Sequence, residues 1–212
     1  MTLITLLLLA WGGAFLGWRL ARLPGPLRYL PCLLPLGFFL VFFGYTGAIE
    51  RGEVVQHSLA WAPTLGVDLA LRLDGFSLLF ALLITGIGTL VTIYATAYFS
   101  DATPKDRSRF LFLILAFMAA MLGTVLSDNL IAMFVFWEAT SLLSFLLIGF
   151  EAQKLQARKA ALQSLIITGG GGSRSLAGCC SSGWPPVPSR TPTWWPRPTP
   201  GSRAPGRRPP SF

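Results

Sequence analysis

Five stretches of this chain are each long and apolar enough to cross a lipid bilayer, and that limits every other feature of its fold. A helix needs about 20 mostly apolar residues to span the hydrocarbon core. Thr2–Leu20, Leu30–Ile49, Phe76–Phe99, Phe110–Leu126 and Asn129–Phe150 meet that requirement. Pro31 and Pro35 fall in the first turns of the second stretch, where proline is tolerated. A sixth helix starts near Ala160 and is expected to stop at Gly169–Gly172. The first stretch has no basic region ahead of it and no small-x-small cleavage pattern, so it reads as a retained helix rather than a secretory signal. Hydrophobic residues make up 53% of the 212 residues and charged ones 12%, about half the share of an ordinary soluble protein. The expected fold class is all-α, a polytopic membrane helix bundle with about five complete spans and a truncated sixth.

Charge gives the orientation. The formal net charge is +8, but it is unevenly placed. Residues 1–172 hold 11 basic and 9 acidic side chains, whereas residues 173–212 hold six arginines and no acid. The basic pI therefore belongs to the tail, and the folded part carries no nucleic-acid footprint. Arg19, Arg22 and Arg28 follow the first span, Lys105, Arg107 and Arg109 precede the fourth, and Lys154, Arg158 and Lys159 follow the fifth. Glu50–Gly75, between the second and third spans, has two arginines against Glu50, Glu53, Asp68 and Asp74. The positive-inside rule then places the three basic loops inside and the N-terminus outside. Within the outer segment, Asp68–Asp74 alternates polar and apolar residues, as a short strand or an interfacial segment would.

No self-contained catalytic or cofactor site is visible. His57 is a lone loop histidine and reads as a solvated side chain. Cys32, Cys179 and Cys180 fit neither zinc spacing nor a disulfide framework. The sequence shows no phosphate-binding glycine loop, nucleophile constellation or metal cluster, so no cofactor and no metal are expected.

Glu138 is the exception to an otherwise apolar helix. It lies nine residues beyond Asn129, about 13 Å along a helix and near the middle of the membrane. A carboxylate there costs at least about 2.5 kcal/mol to insert, so such residues face a bundle interior or a wet cavity and serve ion movement. Ser141 and Ser144, at i+3 and i+6, lie on the same half of the helix and are auxiliary candidates for holding water. Arg158 and Lys159, at the inner end of the sixth helix, are further auxiliary candidates, although setting topology accounts for them as well. Ser127-Asp128-Asn129 precedes an apolar run and reads as a helix N-cap, with Asp128 in a capping role.

These residues resemble a known family. The run Ser127–Phe150, with Trp-Glu-Ala-Thr-Ser at its centre, is similar to the fifth helix of the antiporter-like membrane subunits shared by respiratory complex I, membrane hydrogenases and Mrp-type multisubunit cation/proton antiporters. Leu73-Asp-Gly-Phe-Ser-Leu-Leu-Phe80 and Phe117-Met-Ala-Ala-Met-Leu-Gly123 carry the same resemblance. Trp137-Glu-Ala-Thr-Ser141 and Phe145-Leu-Leu-Ile-Gly-Phe150 look most like the large, A-type subunit of the Mrp-type antiporters, and the likeness covers residues 1–172. It implies that Glu138 stands in the proton path of a monovalent cation (Na+/H+) antiporter subunit. It also implies other antiporter subunits as partners in a hetero-oligomeric complex, in the plasma (inner) membrane of a bacterium. The family's partner lysine on a seventh helix lies beyond this chain, and Gln163 stands where the family often has a lysine. The alternative within the family is a proton-pumping subunit of an NADH-quinone oxidoreductase or membrane hydrogenase, without a redox centre of its own.

Residues 173–212 differ in kind. They hold ten prolines, six arginines and seven serines. Taken literally they form a Pro-rich, disordered arm, and the chain would be a membrane-tethered interaction protein. The genetic code offers another reading. Gly169–Gly172 require four GGN codons, and one base earlier the words after them change independently of codon choice. Gly178-Cys-Cys then contains Leu/Val/Met-Leu, Gly183-Trp-Pro contains Leu/Val/Met-Ala, and Thr193-Trp-Trp-Pro contains Leu/Val/Met-Val-Ala. All three forced words become apolar. The expected division is therefore 1–172, the N-terminal part of an antiporter-like transmembrane domain, and 173–212, a tail read out of frame.

Overall fold

The computed structural model describes residues 2–23, 25–62, 67–99, 103–150 and 155–181. Five of its helical segments are long and apolar enough to cross a membrane: Leu3–Leu20, Leu27–Glu50, Gly75–Tyr98, Pro104–Leu126 and Leu130–Ile148. The sequence spans agree with them to within a few residues, apart from the fourth, whose helix begins at Pro104 rather than Phe110.

Helix α1 (Leu3–Leu20) begins at Thr2, whose hydroxyl accepts from the Thr5 N–H. The second crossing is not one regular helix, as the sequence suggested. It opens as a 3-10 turn over Gly25–Cys32, continues as α2 (Leu33–Gly44), and breaks at Tyr45 before the short α3 (Thr46–Glu50). Pro31 lies inside the 3-10 segment, and its missing N–H leaves the tighter turn as the local solution. Strands β1 (Val55–Ala62) and β2 (Val67–Leu73) form an antiparallel hairpin, pairing His57 with Leu71 and Val55 with Leu73. The alternation at 68–74 is thus a strand. Leu71 and Leu73 point into the core at 1% and 0% exposure, while Arg72 reaches outward to Asp74 at 3.4 Å.

Asp74 then starts α4 (Gly75–Tyr98) by accepting from the Ser77 N–H at 2.9 Å. One face of α4 is a stripe of buried threonines, Thr85, Thr89, Thr92 and Thr96. Each hydroxyl donates to the carbonyl four residues back, at 2.6–2.8 Å, which satisfies a polar group that hydrocarbon could not. The opposite face presents Phe76, Leu79, Leu83, Leu90 and Tyr94 outward, as a lipid-facing surface requires.

Helix α5 (Pro104–Leu126) is the axis of the bundle. Thr103 caps it, with Pro104 in the first turn where no N–H is needed. Its small residues Ala116, Ala119, Ala120 and Gly123 are buried and let α1, α4 and α6 approach closely. Leu3, Leu6, Leu7, Phe42, Leu78, Leu115, Leu122 and Leu126 complete one continuous core. At the basic end, Arg107 is only 6% exposed and donates through Nε to the carbonyl of Ala21 at 2.9 Å. A cation there meets the negative end of α1 and an otherwise unpaired terminal carbonyl. Arg22 stacks 4.1 Å over Trp18 and reaches Ser108 at 3.4 Å.

Helix α6 (Leu130–Ile148) starts differently from expectation. The cap is Asn129, whose Oδ1 accepts from the Ile131 N–H at 2.8 Å, while its Nδ2 donates to the Asp68 carbonyl at 3.1 Å. Asp128 is exposed, and its backbone N–H donates to Ala70 at 2.8 Å. Together with the isolated antiparallel Leu71–Ser127 bridge, this ties residues 127–128 to the edge of β2. The capping role expected of Asp128 therefore passes to its neighbour.

Helix α7 (Leu155–Ser181) also corrects the sequence reading, which expected it to begin near Ala160 and stop at Gly169–Gly172. It runs straight through the four glycines. Each glycine costs about 1 kcal/mol of helix propensity, but at membrane depth only an intact helix satisfies the backbone, and α7 packs along α6. The Pro/Arg-rich part of the tail from residue 182 onward lies outside the described residues.

Candidate functional site

The middle of α6 carries one acid. Glu138 is the ninth of nineteen helical residues, so the mid-helix position expected from the sequence is where the structure puts it. Two helices flank it. On one side Phe136 fills the space at Gly123 of α5, where a Cβ would come within 2.5 Å of the ring. On the other side Glu138 lies directly against Gly172 of α7. A Cβ at that glycine would fall on the carboxylate Oε1, and it would also touch Phe134 at 3.5 Å.

The register between these helices is simple antiparallel. Gly149 faces Ala161, and Glu138 faces Gly172, eleven residues along on each helix. Glu138 Oε1 is buried and has no hydrogen-bond partner among the described residues. An unsatisfied buried carboxylate oxygen is costly and is the kind of exception that marks a functional group. What it can do chemically is bind and release a proton.

The auxiliary residues divide. Ser141 is buried at 7% exposure, but its hydroxyl donates to the Trp137 carbonyl at 3.3 Å. Ser144, nearly two turns beyond the acid, is half-buried. Neither is hydrogen-bonded to the carboxylate among the described residues. Arg158 and Lys159 are exposed on the first turns of α7. Arg158 lies 14 residues before Gly172, about 21 Å along the helix, so the structure does not bring it to Glu138. Gly172 was not a sequence candidate. The glycine run was visible, but it read as a stop rather than as a seat for the acid. Among the described residues, no group of three or more His, Cys, Asp or Glu side chains could hold a metal.

A bundle of long apolar helices with an acid at the middle of one of them is an architecture that fits the antiporter-like membrane subunits. The chain belongs to that family. Residues 61–111 match the model described as "NADH-Ubiquinone oxidoreductase (complex I), chain 5 N-terminus". Residues 127–180, which include Glu138 and nearly all of α7, match "NADH:quinone oxidoreductase/Mrp antiporter, TM". Within the family the likeness is to the large, A-type subunit of the Mrp-type antiporters. The chain is 47% identical over 146 residues to the Na(+)/H(+) antiporter subunit (type A) of Alkalihalophilus pseudofirmus, covering 69% of this chain and 18% of that one. It is 44% identical over 154 residues to the probable K(+)/H(+) antiporter subunit (type A/B) of Rhizobium meliloti, covering 73% of this chain and 15% of the relative. Among solved structures it resembles the Mrp complex from Dietzia sp. DQ12-45-1b, with 28% identity, a TM-score of 0.62, and coverage of 85% of this chain and 19% of that one. The fold also recurs in an archaeal membrane-bound sulfane sulfur reductase, with 22% identity, a TM-score of 0.67, and coverage of 85% and 28%. The chain thus spans less than a fifth of the length of the curated relatives it matches.

Proposed function

We propose that residues 1–172 form the N-terminal part of the large subunit of a proton-coupled monovalent cation antiporter, with Glu138 as a protonatable relay at mid-membrane. The observation that carries this reading is Glu138 at the centre of α6, half-buried as a residue, with its Oε1 buried and unpartnered among the described residues. It lies inside the segment that matches the antiporter family model. The subunit works within a hetero-oligomeric assembly of antiporter subunits in a bacterial plasma membrane. Its N-terminus faces outward, because Arg22, Arg107 and Arg109 lie at the opposite end of the bundle from the hairpin. Ser141 and Ser144 sit within two turns of the acid and supply hydroxyls to water entering from that half of the helix. Residues 173–212 take no part, being the same gene read one base out of frame.

The test is a chimera in which residues 1–172 replace the matching segment of a complete large subunit, expressed with its partner subunits. Everted vesicles from such cells should show sodium- or potassium-dependent proton exchange. E138Q should abolish that exchange while the complex still assembles. Normal exchange by E138Q would remove the assignment. The 212-residue chain by itself should give no exchange.

A second reading is favoured by one observation, the complex I model that matches residues 61–111. In that reading the same relay serves a proton pump driven by redox subunits. Genes for redox subunits beside this one, in place of small antiporter subunits, would select it.

A further inference from the structure

Four seams of the bundle are closed in the same way, by a glycine that receives a large side chain from the neighbouring helix. Gly17 faces Leu115, Gly88 faces Met118, Gly123 faces Phe136 and Gly172 faces Glu138. The first three occupants are apolar, and for them the glycine is a packing device. The fourth is the only ionisable one among these described seams, and its inward oxygen has no partner.

We infer that Gly172 is a positioning residue for Glu138, holding the carboxyl against the bare backbone of α7 where a proton, but no water molecule, reaches Oε1. This rests on the proposed relay role of Glu138 and adds to it the element that confines the relay. The geometry is selective along the glycine run. A Cβ at Gly169, Gly170 or Gly171 would meet nothing within 4 Å, whereas at Gly172 it would occupy the place of the carboxylate oxygen. Helix propensity alone would favour alanine at all four positions by about 1 kcal/mol each. Among these four, position 172 alone has a neighbour that a methyl group would displace, the flexible end of Glu138. A side chain there would force χ rotation of Glu138 away from α7. The carboxyl would then meet water, and the path through it would no longer be confined to the seam.

The inference is testable on the 212-residue chain in nanodiscs by infrared spectroscopy at acidic pH, where carboxyl groups are protonated. The difference between wild type and E138Q isolates the Glu138 carboxyl C=O band. G169A and G170A should leave its frequency, width and hydrogen–deuterium exchange unchanged. G172A should move the band to lower frequency, broaden it and accelerate its exchange, as water replaces the backbone contact. Far-UV circular dichroism should show at least wild-type helix content for all three variants. In the double variant G172A/E138D the shorter acid makes room for the new methyl group, and the slowly exchanging band should return. A G172A band identical to wild type would overturn the positioning role, as would G169A or G170A shifting it equally. Either result leaves the relay reading standing. Conversely, normal exchange by E138Q in the chimera would remove the relay without touching the seat.

Discussion

The joint between the hairpin and α6 can be taken apart with one residue. Asn129 makes two independent hydrogen bonds, accepting from the Ile131 N–H at 2.8 Å and donating to the Asp68 carbonyl at 3.1 Å. Replacing an N-cap asparagine by alanine costs about 1 kcal/mol, within a range of roughly 0.5–2. The second bond, part-buried between two elements, contributes about 1 kcal/mol more. Asn129→Ala should therefore destabilise the bundle by about 2 kcal/mol. Asn129→Asp separates the two terms. It keeps the capping oxygen and places a negative charge at a helix N-terminus, which is favourable by about 0.3–1 kcal/mol, but it loses the donor to Asp68. Its net cost should stay below about 1 kcal/mol. The assay is equilibrium unfolding in mixed micelles with increasing denaturing detergent, followed by tryptophan fluorescence and circular dichroism. Amide hydrogen exchange at Ala70 and Leu71 should rise in both variants, since both release the hairpin. Equal losses for alanine and aspartate, or an alanine variant within about 0.3 kcal/mol of wild type, would refute the assignment of the cap and the tie.

Three further outcomes follow from the same structure. Gly123→Ala should cost about 1–3 kcal/mol through overpacking against Phe136, and Phe136→Leu in the same chain should recover part of it, measured by the same detergent titration. Burial pushes the Asp74 carboxyl up, but the Ser77 backbone N–H, the Ser77 hydroxyl, the Arg72 charge and the Phe76 N–H outweigh it and hold it below the ordinary carboxylate range. The stability this contributes is full above that ordinary range and is lost as pH falls through the lowered value. Asp74→Asn should accordingly flatten the acid limb of a stability–pH curve. Finally, resequencing the gene across the codons of Gly169–Gly172 should reveal an open shifted frame that codes apolar residues; an early stop codon in that frame would make residues 173–212 genuine.

Much of this fold was legible because it depends on local chemistry and on length. A helix start at Ser127-Asp128-Asn129 was visible, although the cap is Asn129 and not Asp128, and the same residue chemistry at Thr2, Asp74 and Thr103 caps α1, α4 and α5. The alternation at 68–74 left a short strand and an interfacial segment open, and the structure makes it a strand. Its partner Val55–Ala62 has no comparable pattern and is recognised only through pairing. Glu138 stood out because its cost of insertion demands a reason. The seat at Gly172 did not stand out, because nothing in a glycine run says which neighbour will arrive. That depends on the antiparallel register of α6 and α7. For the same reason Arg107 looked like one more inner-loop charge, although the structure buries it on the carboxyl end of α1.

The bridge at Ser127–Asp128 has a consequence for how the protein is made. The start of α6 is anchored to chain synthesised about sixty residues earlier, through Asn129 to Asp68 and the Asp128 N–H to Ala70. Those partners are within reach only if the segment between the second and third crossings lies on the same side of the bilayer as residue 129. A ribosome-bound intermediate that leaves this segment on the wrong side has no acceptor waiting when residue 129 emerges. The joint thus acts as a check on the topology of the two crossings that separate its halves.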